Sequence, residues 1–140
     1  MRSMIGSFLD TNILLYAASN SPDDTEKKKI ASDLIRNSKV WISTQVLQEF
    51  IANALRKRAL QISEEDIHRL LHFFLEEEVQ AVNLSTVQRA NEMRLRFNIS
   101  QWDASILSAA EQMGCSVVYT EHLNHGQIYD RVQVLNPFHD

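Results

Sequence analysis

Short uninterrupted apolar runs alternate along this chain with longer stretches in which apolar residues recur every three or four positions. The first pattern fits buried strands and the second fits helices with one apolar face. "GSFLD" reads as a first strand, and Asn12 as the cap of a short helix running into Tyr16. "DDTEKKKIASDLIRNS" follows as a helix with Ile30, Leu34 and Ile35 inward. "KVWIS" reads as a strand. "TQVLQEFIANALRKR" is then a helix capped by Ser43 or Thr44, with Val46, Leu47, Phe50, Ile51, Ala54 and Leu55 on its apolar arc. "SEEDIHRLLHFFLEEE" carries a capping pair, Ser63 and Asp66, and turns Ile67, Leu70, Leu71 and Phe74 inward. "VQAVNL" is a strand, "STVQRANEMRLRF" a helix, and "SQWDASILSAAEQMG" a helix stopped by Gly114. "CSVVYT" and "VQVLNP" are further strands, the latter at the sheet edge.

Strands alternating with helices predict a parallel sheet covered on both faces. In such sheets ligands bind beyond the carboxyl ends of the strands. Asp10 and Thr120 both fall at such ends. Three glycines and two prolines, with no repeat or low-complexity segment, fit one domain over 1–140. The opening "MRSM" reads as a cloning remnant, 1–3, ahead of a natural start at Met4.

Composition narrows the function more than the fold. With 44% hydrophobic and 23% charged residues the chain is of ordinary globular type, not disordered or collagen-like. No apolar stretch approaches the roughly 18–20 residues of a membrane span, and no secretory leader is apparent. A single cysteine, Cys115, excludes an internal disulfide, and Ser116 and Val117 beside it predict burial at a strand start. A cytoplasmic location is the expectation. A net charge of −4 argues against coating duplex nucleic acid, but not against a nucleic-acid enzyme whose acids carry cations.

Three acids stand where acids are out of place. Asp10 ends a core strand, where it serves either as a helix cap or as a ligand. Asp103 falls inside the arc of Trp102, Ile106, Leu107, Ala110 and Met113, though a capping box with Ser100 also explains an acid there. Glu49 lies just beyond Val46, on the margin of a buried face that Asn53 shares. Two like charges about 4 Å apart repel by about 1 kcal/mol in water and about 4 kcal/mol at an effective dielectric of 20. A hard divalent cation removes that penalty, and oxygen donors suit Mg²⁺ or Mn²⁺.

"FLDTNILLYA", "STQVLQEF", "ISQWDASILSAA" and "VVYTEHLNHGQ", in this order over nearly the whole chain, resemble the PIN-domain family and within it the VapC-type toxin ribonucleases. The resemblance implies a three-layer α/β/α sandwich around a parallel sheet and a Mg²⁺- or Mn²⁺-dependent endoribonuclease. It implies that Asp10, Glu49 and Asp103 are the metal-site acids, with Thr11, Asn12 and Thr120 as polar support. It also implies a homodimer, an RNA substrate such as tRNA, and a cognate antitoxin. One departure stands out: where the family commonly has a fourth acid, "TEHLNHG" places His122, with Glu121 beside it as a substitute. Neutral imidazole is a poorer Mg²⁺ ligand than carboxylate. That substitution motivates the alternative of a weakened or inactive PIN-fold interaction module.

Other readings fit less well. A phosphatase built on an aspartyl nucleophile needs a second Asp two positions on, where Asn12 stands; a phosphoreceiver needs a late-strand lysine, where Glu121 follows Thr120. The basic run at 56–58 and the Arg89/Arg96 face are the candidate phosphate contacts. Trp41 and Trp102 read as core residues in preference to base-stacking platforms, and His68 with His72 as the flank of an amphipathic helix.

Overall fold

Val40, Trp41, Ser7 and Phe8 begin the ladder that organises the molecule, pairing Ser7 with Val40 and Phe8 with Trp41 in parallel. This computed structural model describes residues 6–75, 77 and 79–139. The expected remnant at 1–3 lies outside them. The strands are β1 (Ser7–Leu9), β2 (Val40–Ser43), β3 (Val79–Gln80), β4 (Val117–Tyr119), β5 (Ile128–Tyr129) and β6 (Val132–Leu135). The helices are α1 (Thr11–Ala18), α2 (Thr25–Asn37), α3 (Thr44–Arg56), α4 (Glu64–Phe74), α5 (Leu84–Phe97) and α6 (Gln101–Gln112).

The sheet order is β3-β2-β1-β4-β6-β5. All neighbours run parallel except β5, which pairs antiparallel with β6. The sheet is therefore not purely parallel, and β6 is not the edge strand its sequence position suggested. Two residues, one exposed and one buried, give β5 too little length to show a strand period in the sequence. Helices α5 and α6 pack on each other, with α6 against β2, β4 and β6; α1, α2, α3 and α4 form the other helical group. The outcome is the three-layer α/β/α sandwich.

Between the layers Phe8, Leu9, Ile42, Val118 and Val134 of the strands meet Phe50, Met93 and Leu107 of the helices, all fully buried. Capping explains most helix starts. Ser43 accepts from the Val46 N–H, and Ser63 with Asp66 forms the reciprocal box that the sequence predicts. Gly114, at φ +80°, ends the run after α6 in the left-handed region that favours glycine.

Four local expectations are corrected. Asp10, not Asn12, caps α1, because its carboxylate reaches the Thr11 N–H, while Asn12 is buried in the first turn. The fully buried residue of α2 is Ala31, with Ile30, Leu34 and Ile35 only half-buried. Leu55, in the last turn of α3, is 58% exposed. Trp102 is 68% exposed and not in the core: α6 is buried continuously only from Ala104 to Ala110, and its first turn stands clear.

Candidate active site

Parallel register places the carboxyl ends of β1 and β4 side by side: Leu9 pairs with Tyr119, and the Asp10 N–H donates to the Tyr119 carbonyl at 3.0 Å. Asp10 and Thr120 therefore meet as the first residues beyond the sheet. Next to them β2 feeds α3, which carries Glu49, and the first turn of α6 brings Asp103. A cavity of ≈ 280 Å³ opens here, lined among others by Asp10, Glu49, Asp103, Glu121, His122 and Lys57.

Asp10 is held from several sides. Its Oδ1 accepts from the Thr11 N–H at 2.7 Å, and its Oδ2 from the Thr120 hydroxyl at 2.9 Å. Asn12 Nδ2 donates to Thr120 Oγ1 at 3.1 Å and, at 3.4 Å, to Asp10 Oδ2, while Asn12 Oδ1 accepts from the Glu121 N–H. The His122 N–H donates to Thr120 Oγ1 at 3.0 Å. "DTN" and Thr120 thus form one buried network that fixes the carboxylate and the following loop. Burial raises the Asp10 carboxyl above its ordinary value, against the opposing pull of Thr11, Thr120 and His122, and nearby Glu49 adds to the rise.

The other acids differ in how firmly they are held. Glu49 Oε1 accepts from the Thr11 hydroxyl at 2.8 Å and Oε2 from Gln45 Nε2 at 3.3 Å. Asp103 contributes its backbone N–H to Ser100 Oγ, but its carboxylate does not reach back, so only half of the expected capping box forms. The Asp103 carboxylate is left facing the cavity. Glu121 is taken by other partners: its Oε1 accepts from the Tyr16 hydroxyl at 2.6 Å and its Oε2 pairs with Lys27 at 2.8 Å. Burial works to raise the Glu121 carboxyl, but Lys27 and Tyr16 outweigh it and hold it below its ordinary value. His122 is exposed at the rim.

Oxygen donors from three carboxylates, backed by neutral hydroxyl and amide groups, suit Mg²⁺ or Mn²⁺ in kind. The raised Asp10 carboxyl marks a place where ionisation is costly unless positive charge is supplied. As placed, no three His, Cys, Asp or Glu side chains among the described residues stand close enough together to grip an ion. Glu49 is instead engaged by Thr11 and Gln45.

Positive charge is distributed differently from the sequence expectation. Arg89 forms ion pairs with Glu111, Asp130 and Glu92, and Arg96 pairs with Asp130. This face is a brace between α5, α6 and the β5–β6 turn, not a free phosphate surface. Lys57 of the 56–58 run does line the cavity. Gln45, Glu49, Asn53 and Lys57 all face the cavity one helical turn apart. That i,i+4 polar spacing is legible in the sequence, in which Gln45 alone of the four carries no signal of its own. Tyr16 and Lys27 carried no comparable signal.

A family model for the PIN domain matches residues 7–128, and the chain belongs to that family. Its fold is similar to that of a toxin–antitoxin complex chain from Klebsiella pneumoniae, at 16% identity and TM-score 0.65 over 94% of this chain and 98% of that one. It is also similar to a chain of Rickettsia felis VapBC2 bound to a promoter DNA fragment, at 21% identity and TM-score 0.63, covering 91% and 96% of the two chains. Mycobacterium tuberculosis VapC20, a sarcin–ricin loop cleaving toxin, matches at 17% identity and TM-score 0.63, covering 79% and 85%. No curated protein matches the chain by sequence. Among the described residues no helix is long and apolar enough to cross a membrane.

Proposed function

We propose that this protein is a divalent-metal-dependent endoribonuclease and the toxin of a toxin–antitoxin pair. One observation carries the reading: acids from three separate elements, Asp10, Glu49 and Asp103, line one cavity at the carboxyl end of the sheet. Family membership and the fold shared with toxin chains support it.

In this reading Asp10 and Asp103 would hold Mg²⁺ or Mn²⁺ directly, and Glu49 would complete the shell or bind through water. An ion held there would supply Lewis acidity toward a phosphate oxygen and lower the pKa of a bound water. The chain's own groups supply the rest. Thr11, Asn12 and Thr120 keep the Asp10 carboxylate in one orientation. A carboxylate of the cluster orients the water and accepts its proton. Lys57 offers a cation to a flanking phosphate. No serine or cysteine nucleophile takes part. The partners are an RNA strand, single-stranded or folded like tRNA, a small antitoxin that covers the cavity, and a second copy of the chain.

The test is cleavage of RNA by purified protein in Mg²⁺ or Mn²⁺, with chelator and Asp103→Asn controls. Metal-dependent cleavage lost in the variant supports the reading; cleavage that survives both controls sinks it. A second reading, a PIN fold that binds without cutting, draws on His122 standing where an acid is usual. RNA binding without cleavage under every metal would select it.

A further inference from the structure

Trp102 is a large aromatic side chain, 68% exposed, immediately preceding an acid of the cavity. On its other side lies a second groove, of ≈ 590 Å³, which Trp102 shares with the acid cavity together with Gln45 and Glu49. Its volume falls within the roughly 300–1,000 Å³ typical of small-ligand sites. The rest of its lining is neutral: Gln48 and Gln101 amides, the Thr44 and Ser105 hydroxyls, and the apolar Val82 and Val87. Gln45 Nε2 donates at 3.4 Å to the Trp102 carbonyl, tying the first turn of α6 to α3 across the boundary between the two cavities.

We propose that Trp102 is a stacking platform for an unpaired nucleobase of the RNA strand whose phosphate occupies the acid cavity. A groove whose one charge is the shared Glu49 repels phosphate but suits a base, which offers a flat face and neutral hydrogen-bonding edges. Cation placement agrees. Lys57, the residue that caps the end of α3, lies eight residues beyond Glu49 along the stripe, about 12 Å away and on the side opposite Gln45. A strand drawn along that stripe sets one phosphate near Lys57, a later one at the acids, and the base beyond it toward Trp102. Stacking tolerates any base, while the Gln48 and Gln101 amides can discriminate between base edges. The proposal rests on the nuclease reading for its substrate class, but the binding it describes can be measured without chemistry.

The test uses the cleavage-blocked Asp10→Asn background with Mg²⁺ present. The probes are a fluorescently labelled RNA octamer and the same ribose–phosphate chain with its bases removed. Trp102→Ala should weaken binding of the intact octamer between roughly fivefold and 150-fold, the range that base–aromatic stacking supplies. Trp102→Phe should restore most of it, and the abasic chain should bind equally to all three proteins. Equal binding of the intact octamer with and without the Trp102→Ala change overturns the proposal, as does no binding at all. A change in oligomeric state on Trp102→Ala, with RNA affinity unchanged, overturns it in favour of a protein partner on this face. If wild type fails to cleave RNA yet shows the base-dependent Trp102 effect, the nuclease reading fails and the platform stands.

Discussion

The Thr11 hydroxyl donates to Glu49 Oε1 at 2.8 Å, joining the first residue of α1 to the second turn of α3 across 38 positions of sequence. Thr11 thus positions one acid of the cavity while its own N–H fixes another, Asp10. Replacing it with valine keeps the shape and removes the hydroxyl. On the proposed function the Thr11→Val protein should lose about tenfold to a hundredfold in RNA cleavage, and Thr11→Ser should recover most of it. Single-turnover cleavage of the three proteins under one metal concentration measures this.

Asp10 sets function against stability. Its folded carboxyl is raised by burial, so it keeps its proton to higher pH than in the unfolded chain. Folding stability from this group is therefore greatest in acid and falls as pH rises through the folded value, leaving ionised Asp10 a cost near neutrality. Asp10→Asn should raise the thermal midpoint in metal-free buffer at pH 7, and lower cleavage by at least about 100-fold. A midpoint lower than wild type would contradict the assignment of the shift to burial.

The Lys27–Glu121 pair predicts a stability plateau. Glu121 is held below its ordinary 4.5, so its contribution is full above that value and is lost as pH falls through the folded one. Lys27 is raised above its ordinary 10.5 by its Glu121 bond, so its contribution is full below 10.5 and is lost as pH rises through its folded value. With Lys27 40% exposed, solvent screening keeps the pair below about 1 kcal/mol. A double-mutant cycle of Lys27→Met and Glu121→Gln should show that coupling at pH 7 and a smaller one at pH 3.

His122 at the cavity rim makes metal preference testable. His122→Asp adds a carboxylate and should raise cleavage in Mg²⁺ about tenfold relative to cleavage in Mn²⁺. Parallel titrations of the two metals into wild type and variant give the ratio, and an unchanged ratio would show that this position lies outside the metal shell.

Arg89 separates structural from substrate-binding cations. Its side chain bonds Glu111, Asp130 and Glu92, and these partners hold the guanidinium protonated more firmly than usual. Arg89→Ala should cost about 1–3 kcal/mol of folding stability by denaturant titration, leaving RNA affinity per folded molecule unchanged. Lys57→Ala should do the reverse, weakening RNA binding and flattening its salt dependence with little effect on stability.

Local chemistry was legible in the sequence because it acts over a few residues. The strand–helix alternation, the Ser43 and Ser63 caps, the Gly114 stop and the acids at 10, 49 and 103 depend on spacing and side-chain type alone. The four motifs in order also carried the family, which the match over 7–128 bears out. Tertiary structure decided what depends on neighbours distant in sequence. Helical periodicity puts Trp102 on an apolar arc, but only the packed sheet determines where along α6 that arc is covered, and cover begins at Ala104. The same periodicity leaves Arg89 an exposed cation until Glu111 and Asp130 are folded against it. Strand β5, at two residues, has no sequence period and exists because β6 offers it an edge. Glu121 and His122 are adjacent in sequence, yet one is bound to Lys27 and Tyr16 and the other is exposed at the rim. Side-chain type along the chain determined which groups this protein carries; long-range packing decided which of them are free to meet a ligand.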